Sequence, residues 1–440
     1  MALLMTQNLI ARPPDAPGDG RVNPQEQDLT RILDVLDVIK PRIETLLPRK
    51  HSGYPYVVFV LLQACIQLAG GAVMATIDRL NQSCKNLSKS FQAYRTEFFS
   101  NKKRRRFFPD QPSLSRSLKH LSSLGLVQSF WNEVNFAHLL LLKQHGLVRI
   151  DINLIADYKE TKCPKNEDDP YCFGTKAGKT VHKTLVFSII SGAVHQVVFT
   201  YKIAKQQHKL PLFAETVKRF KDAGFTIKHA MIDRGFYRKE LLVSFKRWGI
   251  TVIMPGRQCT ETRTMVEKYL NGEGKRRGTG HMKLGYVRKQ GHIFLEFGVV
   301  LCAKRSWKLS NIKADYTNGT LSLDDAVARI FPLIVVVANN CGITKIHGNE
   351  SRIRMLYRTR WNIEIAFREM NRLGLTSRSQ HRDGRLAAMG ARIFVYNMWQ
   401  VSRALLKKAN PGAPAMDLNE FLGRGCVPRQ VHYAKNVGVA

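Results

Sequence analysis

The stretch from Ile227 to Met254 constrains the fold more than any other part of the chain. Ile227–Asp233 is a short, mostly apolar run, Tyr237–Trp248 has helical spacing, and Ile250–Met254 is a second apolar run. Two strands separated by a helix cannot pair as a hairpin. They pair in parallel, through a right-handed crossover that lays the helix on one face of the sheet. A sheet of this kind requires cover from helices and a sizeable core.

The preceding residues extend the pattern. Val148–Leu154, Thr184–Ile190 and Ala193–Ile203 are β-rich, and Ser191-Gly192 between the last two predicts a hairpin. Leu212–Gly224 reads as a helix. Three strands, a helix, a strand, a helix and a strand is the order of an RNase H-like mixed sheet, an α/β fold. Residues 147–254 form its first part, 255–340 a β-rich insertion with strand-like runs at Ile293–Cys302 and Leu333–Ala338, and 341–408 a helical return to the core. Residues 1–26 and 409–440 read as tails.

Residues 27–146 have helical patterning and read as an all-helical, DNA-binding domain. Ile32, Leu33, Leu36, Ile39, Ile43 and Leu47 form an amphipathic stripe. The uncharged run Pro55–Ala75 is long enough to span a bilayer, but Gln63, Gln67 and Gly70-Gly71 interrupt it, so a buried helix is the better reading. Further on, Lys102-Lys103-Arg104-Arg105-Arg106 precedes Pro109–Ser113, a turn ending in a helix cap. The helix it opens carries Leu114, Leu118, Leu121 and Leu124 on one face, with Arg116 and Lys119 away from it. That polar face suits either a DNA groove or plain solvent.

The charge balance narrows the partner. The 69 Lys and Arg against 34 Asp and Glu give a formal charge of +35, which draws a polyanion to the surface. Nucleic acid, held by displacement of its counterions, is the expected partner, ahead of a ribosome-like structural role or a membrane surface. The eight cysteines contain no C-x-x-C pair, and the chain opens without a secretory pattern, which suits a reduced, cytoplasmic protein associated with the nucleoid. Cys163, Cys172 and His182 have spacings of nine and ten that fit no common zinc module.

Against this basic background a few acidic residues are conspicuous. Asp233 ends an apolar strand, where ligand sites of open α/β sheets form, although it also suits the role of a cap for the following segment. Asp151 interrupts the first predicted strand, and RNase H-like sheets place the first and fourth strands side by side. Asp157 competes for that role but falls after the strand pattern ends, so Asp151 is preferred. Tyr357, Arg360, Glu364, Arg368 and Asn371 are spaced three, four, four and three, one face of a helix. Spacing alone is equally satisfied by a solvated Arg360–Glu364 pair.

The run Tyr357-Arg-Thr-Arg360-Trp361-Asn-Ile-Glu364 resembles the Y-(2)-R-(3)-E-(6)-K signature of the insertion sequence four family of DDE transposases. Asp233-Arg-Gly-Phe-Tyr237 is similar to the D-x-G-[FY] block of that family, and Ile150-Asp151-Ile152 to its first block. The likeness runs from about Leu147 to Trp399. One position departs: the signature Lys falls at Asn371, with Arg368 and Arg372 nearby as basic substitutes.

The resemblance implies that Asp151, Asp233 and Glu364 hold two Mg²⁺ ions, or Mn²⁺ in their place. It also implies cleavage of transposon ends, followed by strand transfer into target DNA within a homodimer or higher oligomer. Hard carboxylate oxygens suit such ions. Tyr357 and Arg360 are then placed to handle the DNA end, and Trp361 either stacks on an extruded base or packs in the core. The alternatives are a nuclease of the same fold that does not rejoin DNA, and an inactive, transposase-derived DNA-binding protein.

Overall fold

The computed structural model describes residues 111–144, 146–163, 169–174, 178, 180–256, 260–287, 291–304, 307–338, 346–372, 382–409 and 411–412. The N-terminal tail, the stripe from Ile32 to Leu47, the run Pro55–Ala75 and the basic cluster Lys102–Arg106 lie outside these residues. So does the segment after Gly412. The described residues fall into two compact units: one of 150–191 and 201–365, the other of those up to 149, 192–200 and those from 366 onward.

In chain order the elements are α1 (Gln111–Ser123), α2 (Val127–Gln144), β1 (Asp151–Lys162), β2 (Cys172–Gly174), β3 (Thr180–Ser191), β4 (Val194–Lys202) and α3 (Leu210–Asp222). There follow β5 (Thr226–Ile232), a 3-10 turn (Arg234–Phe236), α4 (Lys239–Arg247), β6 (Thr251–Pro255) and α5 (Thr260–Leu270). The remainder is β7 (Arg277–Val287), β8 (Gly291–Ala303), α6 (Leu309–Thr317), α7 (Leu323–Arg329), β9 (Ile330–Val336), α8 (Glu350–Arg358), α9 (Trp361–Arg372) and α10 (Arg382–Ala409).

The first unit is built on a mixed sheet in the order β2-β3-β1-β5-β6-β9-β8-β7. β1 runs antiparallel to β3 and parallel to β5, and β5 runs parallel to β6. The β5–α4–β6 crossover predicted from Ile227–Met254 is therefore present. The sequence of β3 explains its central place: Thr184 to Ser191 are all buried, so the strand is covered on both faces. Against it, α3 buries Phe213, Thr216, Val217 and Phe220, one helical stripe. Phe213 meets Phe187, Phe236 and Phe245 edge-on, with ring centroids 4.8, 5.3 and 5.6 Å away. Each such pair adds about 1 kcal/mol beyond its area.

The strands of the 255–340 stretch do not stand apart. β9, β8 and β7 continue the main sheet beyond β6 with antiparallel pairing. The stretch also holds three helices that the β-rich reading missed. Val266 and Leu270 from α5, Leu309 and Ile312 from α6 and Ala326 from α7 join Leu301, Ala303 and Ile330 in a small core of their own.

The second unit contains α1, α2, most of β4 and α10. α1 begins at Gln111, so Ser113 lies inside the helix rather than capping it. Leu114 and Leu121 are buried as expected, whereas Leu124 is exposed. Two buried asparagines serve the main chain of β4. Asn132 of α2 accepts from Thr200 N at 2.9 Å and donates to Thr200 O at 3.0 Å. Asn397 of α10 accepts from Val197 N at 3.0 Å and donates to Val197 O at 2.8 Å. Each side chain acts as a length of neighbouring strand. Among the described residues no helix is long and apolar enough to cross a membrane.

Candidate active site

β1 and β5 set the site by their register. The last paired residues are Ala156 and Ile232, so Asp157 and Asp233 are the next positions on two parallel neighbours. Asp233 turns into the 3-10 segment and accepts a hydrogen bond from Gly235 N at 3.2 Å. The capping role and the strand-end role read from the sequence thus fall to one side chain. Gly235 leaves little room: a Cβ there would lie 3.2 Å from the Tyr158 ring and 3.4 Å from Asp233 Oδ2.

Glu364 arrives from a helix pair resting on the far strands. Ile353 of α8 packs with Ile253, Val300, Leu333 and Val335, and Leu356 and Tyr357 border the same cluster. The chain then breaks at Thr359-Arg360. Arg360 N bonds back to Tyr357 O at 3.0 Å, and α9 begins at Trp361. Tyr357, Arg360 and Glu364 are therefore not on one continuous helix, as their spacing had suggested. The break aims the guanidinium at two carboxylates: Arg360 Nη2 donates to Glu364 Oε1 at 2.8 Å, and Nη1 forms an ion pair with Asp157. The Tyr357 ring lies 5.7 Å from the guanidinium.

The electrostatics bind the same residues into one group. Burial pushes the Asp157 carboxyl up to about 6; Arg360 and the Tyr158 backbone N–H oppose this, and the negative charges of Asp233 and Glu364 reinforce it. Burial opposes charge on Arg360, but Tyr357, Asp157, Glu364 and Asp233 together hold it above the usual guanidinium range. Burial also raises the Tyr357 hydroxyl to about 12. Three carboxylates facing one guanidinium leave two negative charges on a chain whose formal charge is +35.

Asp151 is not part of this group. It opens β1 opposite Thr226, the first residue of β5, and forms an exposed ion pair with Lys228 at 2.6 Å. Six residue steps of strand carry the chain from Asp151 to Asp157, about 20 Å at the usual rise. The ground for preferring Asp151 does not hold: β1 continues to Lys162, paired with β3 throughout, so Asp157 lies within the strand. The signal available in the sequence was the alternation of Tyr158, Glu160 and Lys162 with Asp157, Lys159 and Thr161, which is compatible with a strand edge as well as with a loop.

Trp361 is 47% exposed, which removes core packing as its role. Arg368 and Asn371 are exposed on α9, and Arg372 is in its last turn. Among the described residues no three His, Cys, Asp or Glu side chains are gathered as the ligands of one ion. Asp157 and Glu364 are held by Arg360 instead. Their hard oxygens, buried at Asp157 and partly exposed at Glu364, are nonetheless the donor type that a divalent cation takes. Cys163 and Cys172 lie with their sulfurs 3.2 Å apart, and His182 pairs with Asp169 at 3.1 Å.

Comparison with known proteins gives a consistent result. The transposase DDE domain family matches residues 152–398, more than half of the chain. The match contains Asp157, Asp233 and Glu364 and begins one residue after Asp151. No curated protein matches the chain. Among solved structures, the piggyBac transposase synaptic complex with hairpin DNA is similar at 11% identity, over 96% of this chain and 78% of that one, with a TM-score of 0.43. The Drosophila P element transposase strand transfer complex is similar at 10% identity, over 90% of each chain, with a TM-score of 0.23.

Proposed function

The chain belongs to the transposase DDE domain family, and from that premise we propose that Asp157, Asp233 and Glu364 form its catalytic carboxylates, cleaving transposon ends and transferring the cut strand into target DNA. The observation that carries this reading is the group of three carboxylates around Arg360, two at adjacent positions on neighbouring strands and one from a helix. Such a group is costly to fold unless a cation neutralises it.

Mg²⁺, with Mn²⁺ as a substitute, would fit these donors; held as a pair of ions by Asp157, Asp233 and Glu364, it would supply charge stabilisation to an in-line displacement. The chain supplies the rest. Asp157 and Asp233 hold their oxygens on rigid strands, and Glu364 closes from the start of α9. Arg360 keeps Asp157 and Glu364 from repelling each other, and it must release at least one of them before both can ligate. A guanidinium released in this way is placed to take a phosphate oxygen of the DNA end through two hydrogen bonds. Exposed Trp361 offers a ring for a base, and Arg368 and Arg372 offer charge further along α9.

The DNA is double-stranded: the element's terminal repeats and the target. A homodimer or higher oligomer brings two ends together, and the working location is the nucleoid. The likeness to the insertion sequence four signature supports the cut-and-paste route, with Asn371 as its departure.

The test is cleavage of a supercoiled plasmid carrying the element's own ends, with Mg²⁺. Asp233→Asn is expected to abolish cleavage while DNA binding survives on the basic surface. Near-normal cleavage by that variant removes the assignment.

A further inference from the structure

Beside the carboxylate group, on the other face of the sheet, lies a second cluster that the reading above does not use. Tyr158 follows Asp157 and so points to the opposite face of β1. Its ring stacks on Phe236 at 4.3 Å, with an interplanar angle of 21°. Phe236 is three residues after Asp233, so the stacked pair is tied to both strand-end aspartates. Three cations converge around it. Lys183 Nζ of β3 is 6.0 Å from the Tyr158 ring centroid and 5.4 Å from that of Phe173, and Lys209 Nζ is 5.9 Å from Tyr158. Arg238, exposed at the start of α4, is near enough to act electrostatically on both Tyr158 and Lys209.

This gathering is unfavourable as it stands. The Lys209 ammonium is held below the usual lysine range, by burial first and then by the positive charges of Arg238 and Lys183. One carboxylate, Glu160, pairs with Lys183 at 3.1 Å and is half exposed, so solvent screens it. Asp233 and Asp157 act on the Tyr158 ring from the carboxylate group, while the Lys183 and Lys209 ammonium groups still repel each other. An anion held between the two lysines would relieve that repulsion.

We infer that Lys183, Lys209 and Arg238 form a phosphate-binding subsite that holds the backbone of the DNA strand next to the bond cut at Asp157, Asp233 and Glu364. The inference rests on the proposed function. One phosphate of the strand lies at the carboxylates and a neighbouring one between the lysines that flank Tyr158. The three residues are positioning residues; none touches the reacting atoms.

The test uses the full chain and two probes: a fluorescein-labelled 30-base-pair duplex of the element's end for binding, and the plasmid carrying those ends for cleavage. Binding is measured from low to high salt. Lys209→Gln with Arg238→Gln is expected to lower the salt slope of log K by about two, one for each phosphate contact removed. It is expected to raise KM about tenfold with kcat nearly unchanged, because binding rather than chemistry is lost. Lys209→Arg, which keeps the charge, is expected to retain the slope, which separates charge from packing.

The control pair is Lys246→Gln with Lys268→Gln, two exposed helical lysines away from Tyr158. If that pair lowers the slope as much, the effect is diffuse surface charge and the subsite is overturned. It is overturned equally if the Lys209/Arg238 pair leaves slope and KM unchanged while Asp233→Asn abolishes cleavage. If Asp233→Asn cleaves normally, the function reading fails on its own, and the slope measurement still decides whether these residues hold phosphate.

Discussion

Asp157 and Asp233 occupy adjacent positions on two parallel neighbours, one residue beyond the last pair in register. Their side chains are placed by backbone hydrogen bonding rather than by contact with each other. Backbone strands are rigid supports, and carboxylates fixed on them need little reorganisation when charge develops nearby. Arg360 and Glu364 complete the group from a helix junction, the more adjustable of the two supports.

The two candidate first aspartates separate cleanly by mutation. Asp157→Asn is expected to lower plasmid cleavage about a thousandfold or more, equivalent to several kcal/mol of transition-state stabilisation. Asp151→Asn removes only an exposed pair with Lys228, worth at most about 1 kcal/mol, and cleavage should stay within about twofold. The reverse ranking in a side-by-side time course would return the role to Asp151.

Gly235 is a spacer between the aspartate and the aromatic stack. Its Cβ would crowd Tyr158 and Asp233 at ordinary-to-tight distances, so Gly235→Ala should cost about 1 kcal/mol of stability. Cleavage should nevertheless drop about tenfold, because a displaced carboxylate costs more in rate than in folding. Melting and cleavage assays on one preparation check the split; equal, small effects on both would show that the carboxylate has not moved.

How far the sequence reveals this site depends on the residue. Asp233 and Glu364 stand where the strand–helix–strand pattern and the Tyr357–Glu364 run put them. Asp157 was hidden because Tyr158 to Lys162 are polar or amphipathic, yet pair with Leu185 to Val181 of β3 for the rest of the strand. Pairing partners that far along the chain are invisible to local periodicity. The same limit hid the continuation of the sheet through β9, β8 and β7: the runs at Ile293–Cys302 and Leu333–Ala338 read as strands, while β7 and the order of all three did not. The break at Thr359-Arg360 escaped notice because both flanking segments are helical and neither Gly nor Pro marks it.

Acid should weaken the second unit. Burial lowers His138 from the ordinary 6.5 to about 4, against a Gln196 hydrogen bond that works the other way. Burial likewise lowers His195 to about 3, and its Nδ1 lies 2.9 Å from the Tyr396 hydroxyl. Below pH 6.5 the unfolded chain binds more protons at these positions than the folded one. Stability is therefore full above pH 6.5 and falls below it, by up to about 1.4 kcal/mol per pH unit for each histidine. For His138 the loss levels off near pH 4. Urea unfolding at several pH values checks this, with His138→Gln expected to flatten the slope; an unchanged slope in that variant would mean that other groups carry it.

Asn397 is fully buried and serves both main-chain groups of Val197, as well as Asn135 Oδ1 at 3.2 Å. Asn397→Leu leaves these groups without partners, at about 1–3 kcal/mol each. A loss of about 3 kcal/mol or more in urea unfolding is expected, whereas a loss below about 1 kcal/mol would show that water replaces the side chain.

The asparagines on β4 also bear on how copies of this protein can assemble. A strand normally recruits a neighbour through its open N–H and C=O groups, which is how extended peptides and second subunits dock by augmenting a sheet. At Val197 and Thr200 those groups are already taken by Asn397 and Asn132. Strand addition along that stretch is closed, and the protein is protected there against indiscriminate edge-to-edge pairing.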